Sequence, residues 1–211
     1  MKRFVMRAAL LMFSLCVAAP LFGSGQREGG NFSYDGISTL EVQGVTFDVE
    51  VNGGPGNRVS MDITDYPDGY TVYHDVDGGR VRVVVEREFS LFGSPRGGRL
   101  VFQVPERTEL SVDNSTGDIR IRNLSDTQVE LETSTGDIRV QSVSADLAAQ
   151  SSTGRIELRE VGGRLDLRST TGALVLQEVR GPVRARSTTG DQELRDVAGD
   201  VSTRSSTGDV E

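Results

Sequence analysis

The tripeptide Ser-Thr-Gly or Thr-Thr-Gly occurs six times, with its glycines at Gly117, Gly136, Gly154, Gly172, Gly190 and Gly208. The intervals between them are 19, 18, 18, 18 and 18 residues. A fixed period this short means that each repeat is one turn of a stacked structure, not a domain. Such a chain is built from nearest-neighbour contacts, and any function has to be mounted on the surface of the stack.

Counting from each glycine locates the core. Two residues on lie Ile119, Ile138, Ile156, Leu174, Gln192 and Val210, and four on lie Ile121, Val140, Leu158, Leu176 and Leu194. Seven on come Leu124, Val143, Val161, Val179 and Val197. Polar residues fill most positions between the first two sets, so each repeat opens with a half-buried strand of period two. A second strand follows, with Leu147, Leu165, Val183 and Val201 and then Ala149, Leu167, Ala185 and Thr203 facing inward. In the 19-residue repeat the matching pair is Val129 and Leu131, displaced by the one extra residue. The same parity runs on into Ser151, Ser169, Ser187 and Ser205 and breaks at the glycine, so the chain turns a corner there. Glycine tolerates the positive φ that such corners require.

Two strands and two corners per 18 residues predict an all-β fold, a parallel β-solenoid (β-helix-like), with like positions about 4.8 Å apart along the stack. Its handedness is left open. No segment repeats apolar residues at i, i+3, i+4 and i+7, which excludes a helical repeat. Residues 113–211 are the regular solenoid. Residues 37–112 lack the period but also alternate, through Val45, Phe47, Val49 and Val51, through Val59, Met61 and Ile63, and through Leu100, Phe102 and Val104. They are expected to form irregular coils that cap the N-terminal end, with a separate β-sandwich as the alternative. At the other end the sequence stops at Glu211, inside what should be another first strand. The expectation there is an uncapped edge near Val210 through which the chain could form a homo-oligomer.

The run Leu100-Val101-Phe102-Gln103-Val104-Pro105, then Leu110-Ser111-Val112, then Ser115-Thr116-Gly117-Asp118-Ile119, resembles the bacterial putative-adhesin domain family of unknown function. The resemblance spans roughly Leu40 to Glu211. It implies a β-solenoid at the cell envelope or surface and carries over no catalytic residue. The Asp after the glycine is kept at Asp118, Asp137, Asp191 and Asp209 but is Arg155 and Ala173 in the middle repeats, so one role for the whole row is in doubt.

Residues 1–25 read as a signal peptide: Lys2, Arg3 and Arg7 precede the apolar stretch from Ala8 to Phe22, and small residues follow. Residues 26–36 form a flexible linker. The apolar part is short for a membrane span. Cys16 is the only cysteine and is preceded by Leu15, which does not fit a lipoprotein site. Without residues 1–25, which hold Lys2, Arg3 and Arg7, the formal net charge moves from −8 to −11, and neither lysine nor cysteine remains. Export to the periplasm, cell surface or medium is therefore expected, with no disulfide, no transmembrane segment in the mature chain and no nucleic-acid partner.

Chemistry finds little support. His74 is the sole histidine and lies in an alternating strand. The serines belong to the repeat, which argues for stacking rather than one nucleophile. A polysaccharide-active β-helix enzyme is the weakest of the functional readings, because no unique acidic pair is present. The calcium-roll motif of glycines and aspartate twice per turn is absent, so Asp118 and Asp137 read as turn residues. No catalytic residue, metal or cofactor is expected.

Charge rows say more. Arg168, Arg186 and Arg204 stand fourteen residues after successive glycines, and Glu160, Glu178 and Asp196 stand six after. Like charges stacked at one β spacing repel. The cost would be offset if the two rows faced each other across a corner, or if an anionic ligand covered the arginines. The arginine row is thus a candidate ligand stripe, since guanidinium groups fork onto carboxylate or sulfate. Phe89, Leu91 and Phe92, beside Gly and Pro, form a candidate contact loop. The expected function is a non-enzymatic, adhesin-like protein that binds an envelope or surface protein or glycan. The alternative is an envelope scaffold stacking end to end through its C-terminal strand.

Overall fold

A computed structural model describes residues 30–44, 46–65, 69–87 and 97–211; the signal segment, Val45 and the Phe89, Leu91 and Phe92 loop lie outside the described residues. The described chain is all-β, without a helix. Its first strands are β1 (Asn31–Asp35), β2 (Thr39–Gly44), β3 (Asp48–Gly54), β4 (Arg58–Thr64), β5 (Tyr70–Asp77), β6 (Arg80–Arg87) and β7 (Arg99–Pro105). The repeats supply β8 (Glu109–Thr116), β9 (Ile119–Arg122), β10 (Ser125–Thr135), β11 (Ile138–Thr153), β12 (Ile156–Val161) and β13 (Leu165–Thr171). They end with β14 (Leu174–Val179), β15 (Val183–Thr189), β16 (Gln192–Val197) and β17 (Val201–Thr207).

In the repeats each residue lies beside its equivalent one repeat later. In one sheet Leu110, Val129, Leu147, Leu165, Val183 and Val201 stand in register on parallel strands β8, β10, β11, β13, β15 and β17. In the other, Ile119, Ile138, Ile156, Leu174 and Gln192 do the same on β9, β11, β12, β14 and β16. The long β11 crosses from the second sheet to the first. The extra residue of the 19-residue repeat falls between Ser125 and Gln128, where the register of β10 against β11 shifts and Asp126 takes a φ of 50°.

The N-terminal strands join the same two sheets out of sequence order. β2 and β3 lie parallel to β8 and β9, with Leu40 beside Leu110 and Val49 beside Ile119. Their other edges take β6 and β7, with Leu40 beside Val81 and Val49 beside Leu100. Beyond these the pairing turns antiparallel: β5 on β6, β4 on β7 and β1 on β4. The buried apolar side chains form one cluster running from Ile37 to Ala185.

The corners explain the glycines. The six repeat glycines have φ between 125° and 145°. A Cβ at Gly154 would also fall on the carbonyl of Gly136, one repeat earlier. The opposite corner is held by Asn123, Ser142, Glu160, Glu178 and Asp196, all with φ between 54° and 58°. Polar residues accept this left-handed conformation at a cost of roughly 1–2 kcal/mol each. A further glycine row, Gly163, Gly181 and Gly199, has no room for a side chain, because each faces the carbonyl of the residue stacked before it.

Candidate binding face

Since Leu165 and Leu167 point into the core, Asp166 and Arg168 must point out from the first sheet. The row through Arg168 reads Gln43, Asp113, Glu132, Gln150, Arg168, Arg186, Arg204 along the stack. The three candidate arginines are thus brought together in register, one strand apart. The row two residues before reads Glu41, Ser111, Glu130, Ala148, Asp166, Arg184, Ser202. Two residues after, Ser115, Ser134, Ser152, Thr170, Thr188 and Ser206 line up as exposed hydroxyls. A groove of about 370 Å³ runs between the arginine and hydroxyl rows, bordered by Gln150, Arg168, Arg186, Arg204, Thr170 and Thr188.

The charges on this face are segregated. Arg168 donates to Asp166 over 3.3 Å. Arg184, Arg186 and Arg204 have no ion pair among the described residues. Toward the N-terminal end the same rows turn acidic. There Glu132 accepts from Gln150 over 3.2 Å. Its carboxyl is raised above the ordinary glutamate value by desolvation, then by the charges of Asp113 and Glu130.

Of the two arrangements that would offset the arginine repulsion, the first is not the one found. The Glu160, Glu178 and Asp196 row does not face the arginine row across a corner. Glu160 takes the Ser142 hydroxyl at 2.7 Å, and Arg159 lies 3.9 Å from Glu160 and 3.6 Å from Glu178. The reason is placement: the acidic row occupies the left-handed corner, while the arginines project from the middle of a sheet.

Asp118 and Asp137 are committed to the fold. Asp118 accepts the Asp137 backbone N–H at 3.0 Å, the Arg120 guanidinium at 2.6 Å and that of Arg139 at 3.1 Å. Among the described residues no group of three or more His, Cys, Asp or Glu is placed to hold a metal ion. A smaller cleft of about 270 Å³ holds Asp48, Asp65 and Arg99, with Asp48 and Arg99 already 3.9 Å apart. His74 packs against Phe32 and Tyr34, with ring centroids 4.6 and 5.7 Å away. Gln192 is buried in its inward row and donates to the Arg204 carbonyl at 3.0 Å. Val210 is exposed and bridges to Gln192.

Sequence reasoning missed the acidic half of the arginine row. Stepping back 18 residues from Arg168 reaches Gln150 and then Glu132, but the insertion at Ser125–Gln128 displaces the next step to Asp113. The Gly163, Gly181 and Gly199 spacing of 18 is the sequence signal of the second glycine row.

Residues 37–211 match the family model described as Toastrack DUF4097. The chain belongs to this family. No curated protein matches it. Among solved structures, this Toastrack chain is similar to a putative adhesin from Bacteroides fragilis at 13% identity and a TM-score of 0.48, over 88% of this chain and 98% of that one. A putative adhesin from Parabacteroides distasonis shows 11% identity and a TM-score of 0.40, over 90% and 98%. A putative lipid binding protein from the same species shows 12% identity and a TM-score of 0.35, over 89% and 98%. No helix of the described residues is long and apolar enough to cross a membrane.

Proposed function

We propose that this Toastrack protein is an exported, non-enzymatic, adhesin-like binding protein of the cell envelope or surface. Its 18-residue repeats act as the coils of a parallel β-solenoid that holds one outer face rigid. The outer face of the first sheet is the binding surface, and its arginine row takes carboxylate or sulfate groups. The observation that carries this reading is Arg186 and Arg204, in register with Arg168 beside the groove and without an ion pair among the described residues. Three guanidinium groups about 4.8 Å apart repel one another unless an anion lies across them. The flanking hydroxyls can donate to the same ligand. The test is binding of the exported chain to carboxymethyl-dextran against plain dextran at low salt. The triple variant Arg168→Gln, Arg186→Gln, Arg204→Gln should lose at least tenfold in affinity for the charged polymer. Equal binding by wild type and variant would overturn the reading.

A further inference from the structure

The arginine row changes sign about its middle. Counted in strands from Gln150, one step gives Glu132 on one side and Arg168 on the other. Two steps give Asp113 and Arg186, and three give Gln43 and Arg204. The acidic side is crowded with Glu130, and the basic side is extended by Arg184. A row that is antisymmetric about a neutral residue is complementary to itself after a half-turn.

We infer that the outer face of the first sheet binds a second copy of itself, related by a two-fold axis that lies between the two sheets, parallel to the strands, over Gln150. This rests on the reading that this face is the binding surface, and it names the carboxylates that cover the arginines. The half-turn sets Arg168 over the partner's Glu132 and Arg186 over the partner's Asp113. Symmetry makes each pair twice. The same operation sets each neighbouring row over its own equivalent. Asp166 then lies over the partner's Glu130, a like-charge contact, Arg184 over the partner's Ser111, and Thr170 over the partner's Ser134. Ala148, the smallest residue of its row, lies over the partner's Ala148. Asp166 is already taken by Arg168 of its own chain, so the acidic half with Asp113, Glu130 and Glu132 faces the basic half with Arg168, Arg184 and Arg186. Two sheets packed face to face stand about 10 Å apart, a gap that Arg and Glu side chains together can span.

Size sets the strength. From β8 to β17 the face has six strands about 4.8 Å apart and about seven residues long, or roughly 650 Å² per partner. Roughly 1,300 Å² in total is near the lower limit for a stable complex, so a weak, salt-sensitive association follows. Many copies on opposing surfaces would multiply it through effective concentration. The half-turn makes the two stacks antiparallel, as copies held by the same end on facing surfaces require. A long acidic polymer can cover only the basic half of this face, because two strands past Arg168 it meets Glu132 and Glu130.

Two charge-reversed variants test the inference: an acidic face, Arg168→Glu with Arg186→Glu, and a basic face, Asp113→Arg with Glu132→Arg. Sedimentation velocity at about 100 μM in low salt, with circular dichroism to establish folding, should show wild type forming a dimer that 0.5 M salt dissociates. Each variant alone should have its dissociation constant raised at least tenfold, and an equimolar mixture should form a one-to-one heterodimer. A wild-type monomer, or a mixture that stays monomeric while both variants are folded, overturns the inference. Carboxymethyl-dextran binding separates the two readings. Monomeric wild type that binds the polymer through its arginines leaves the proposed function standing without the self-association. Monomeric wild type that binds no polymer removes both.

Discussion

The backbone N–H of Asp137 donates to the side-chain carboxylate of Asp118, one repeat earlier, across 3.0 Å. The same bond recurs from Asp118 to Asp48, from Arg155 to Asp137 and from Asp209 to Asp191. At the glycine corner the backbone leaves the strand ladder, and an N–H without a ladder partner needs another acceptor. A short carboxylate directly after the glycine is within reach of it. The Asp of the Gly-Asp motif is therefore a clip between successive repeats.

Removal of that clip should be measurable. Asp118→Ala leaves the Asp137 N–H and two arginines without their shared acceptor, and should destabilise the chain by about 1–3 kcal/mol. Asp118→Asn keeps one acceptor oxygen and should cost less. Urea unfolding midpoints of the three proteins decide it. An alanine variant as stable as wild type would show that water serves these groups equally well.

Two glycines separate conformation from space. Gly56 has a φ of 135° with nothing within 4 Å of a built Cβ, whereas Gly181 lacks a positive φ but faces the Gly163 carbonyl. Gly181→Ala has to push two repeats apart and should cost about 3 kcal/mol, at the upper end for overpacking. Gly56→Ala should cost about 1 kcal/mol of backbone strain. Denaturant unfolding checks the order. Equal costs would mean that stacked carbonyls yield more readily than a close-packed corner implies.

What the sequence made legible was whatever repeats. The in-register rows at Ile119 and Leu147 and the glycine corners follow from a period that the eye can count, because a parallel stack places like beside like. The pairing of Leu40 with Leu110, 70 residues apart, leaves no such trace. Nor does the return of β6 and β7 to the outer edges of β2 and β3. The candidate site was half legible for the same reason. Arg168, Arg186 and Arg204 share a count from the glycine, while Glu132 is one place out of that count because of the bulge at Ser125–Gln128, and Asp113 precedes the first repeat glycine. Glu160 and Glu178 could be counted too, but that they sit at a left-handed corner depends on backbone geometry.

Glu132 gives a pH-dependent test. Its native carboxyl titrates above the ordinary value, with desolvation the larger cause and Asp113 and Glu130 the lesser. A raised acid binds its proton more tightly when folded, so its unfavourable contribution is present at neutral pH and disappears as pH falls through the raised value to the unfolded one. Glu132→Gln should therefore stabilise the protein at pH 7, by no more than about 0.5 kcal/mol for an exposed side chain. The difference from wild type should close near pH 4. Urea titrations at low protein concentration, where self-association is absent, measure it. A variant less stable than wild type at pH 7 would mean that the Gln150 bond outweighs the repulsion.

His74 works in the opposite sense. Its imidazole projects from β5 against Phe32 and Tyr34 of β1, with Nε2 buried and without a hydrogen-bond partner among the described residues. Desolvation lowers its pKa from 6.5, and the charge of Asp75 opposes this only in part. The neighbouring Tyr34 phenol is pushed up to about 12 by burial, so it stays neutral and offers no countercharge. With the folded pKa below the unfolded one, the unfolded chain takes up the proton first. The contribution of His74 is therefore complete above about pH 6.5 and is lost as pH falls toward the folded value. Hydrogen exchange of the β5 amides should accelerate between pH 7 and pH 5, after correction for the intrinsic rate, while the repeats keep their protection. His74→Leu, which fills the same apolar niche without titrating, should abolish that acceleration. If β5 loosens equally in the leucine variant, the acid sensitivity of this end belongs to its carboxylates and not to the histidine.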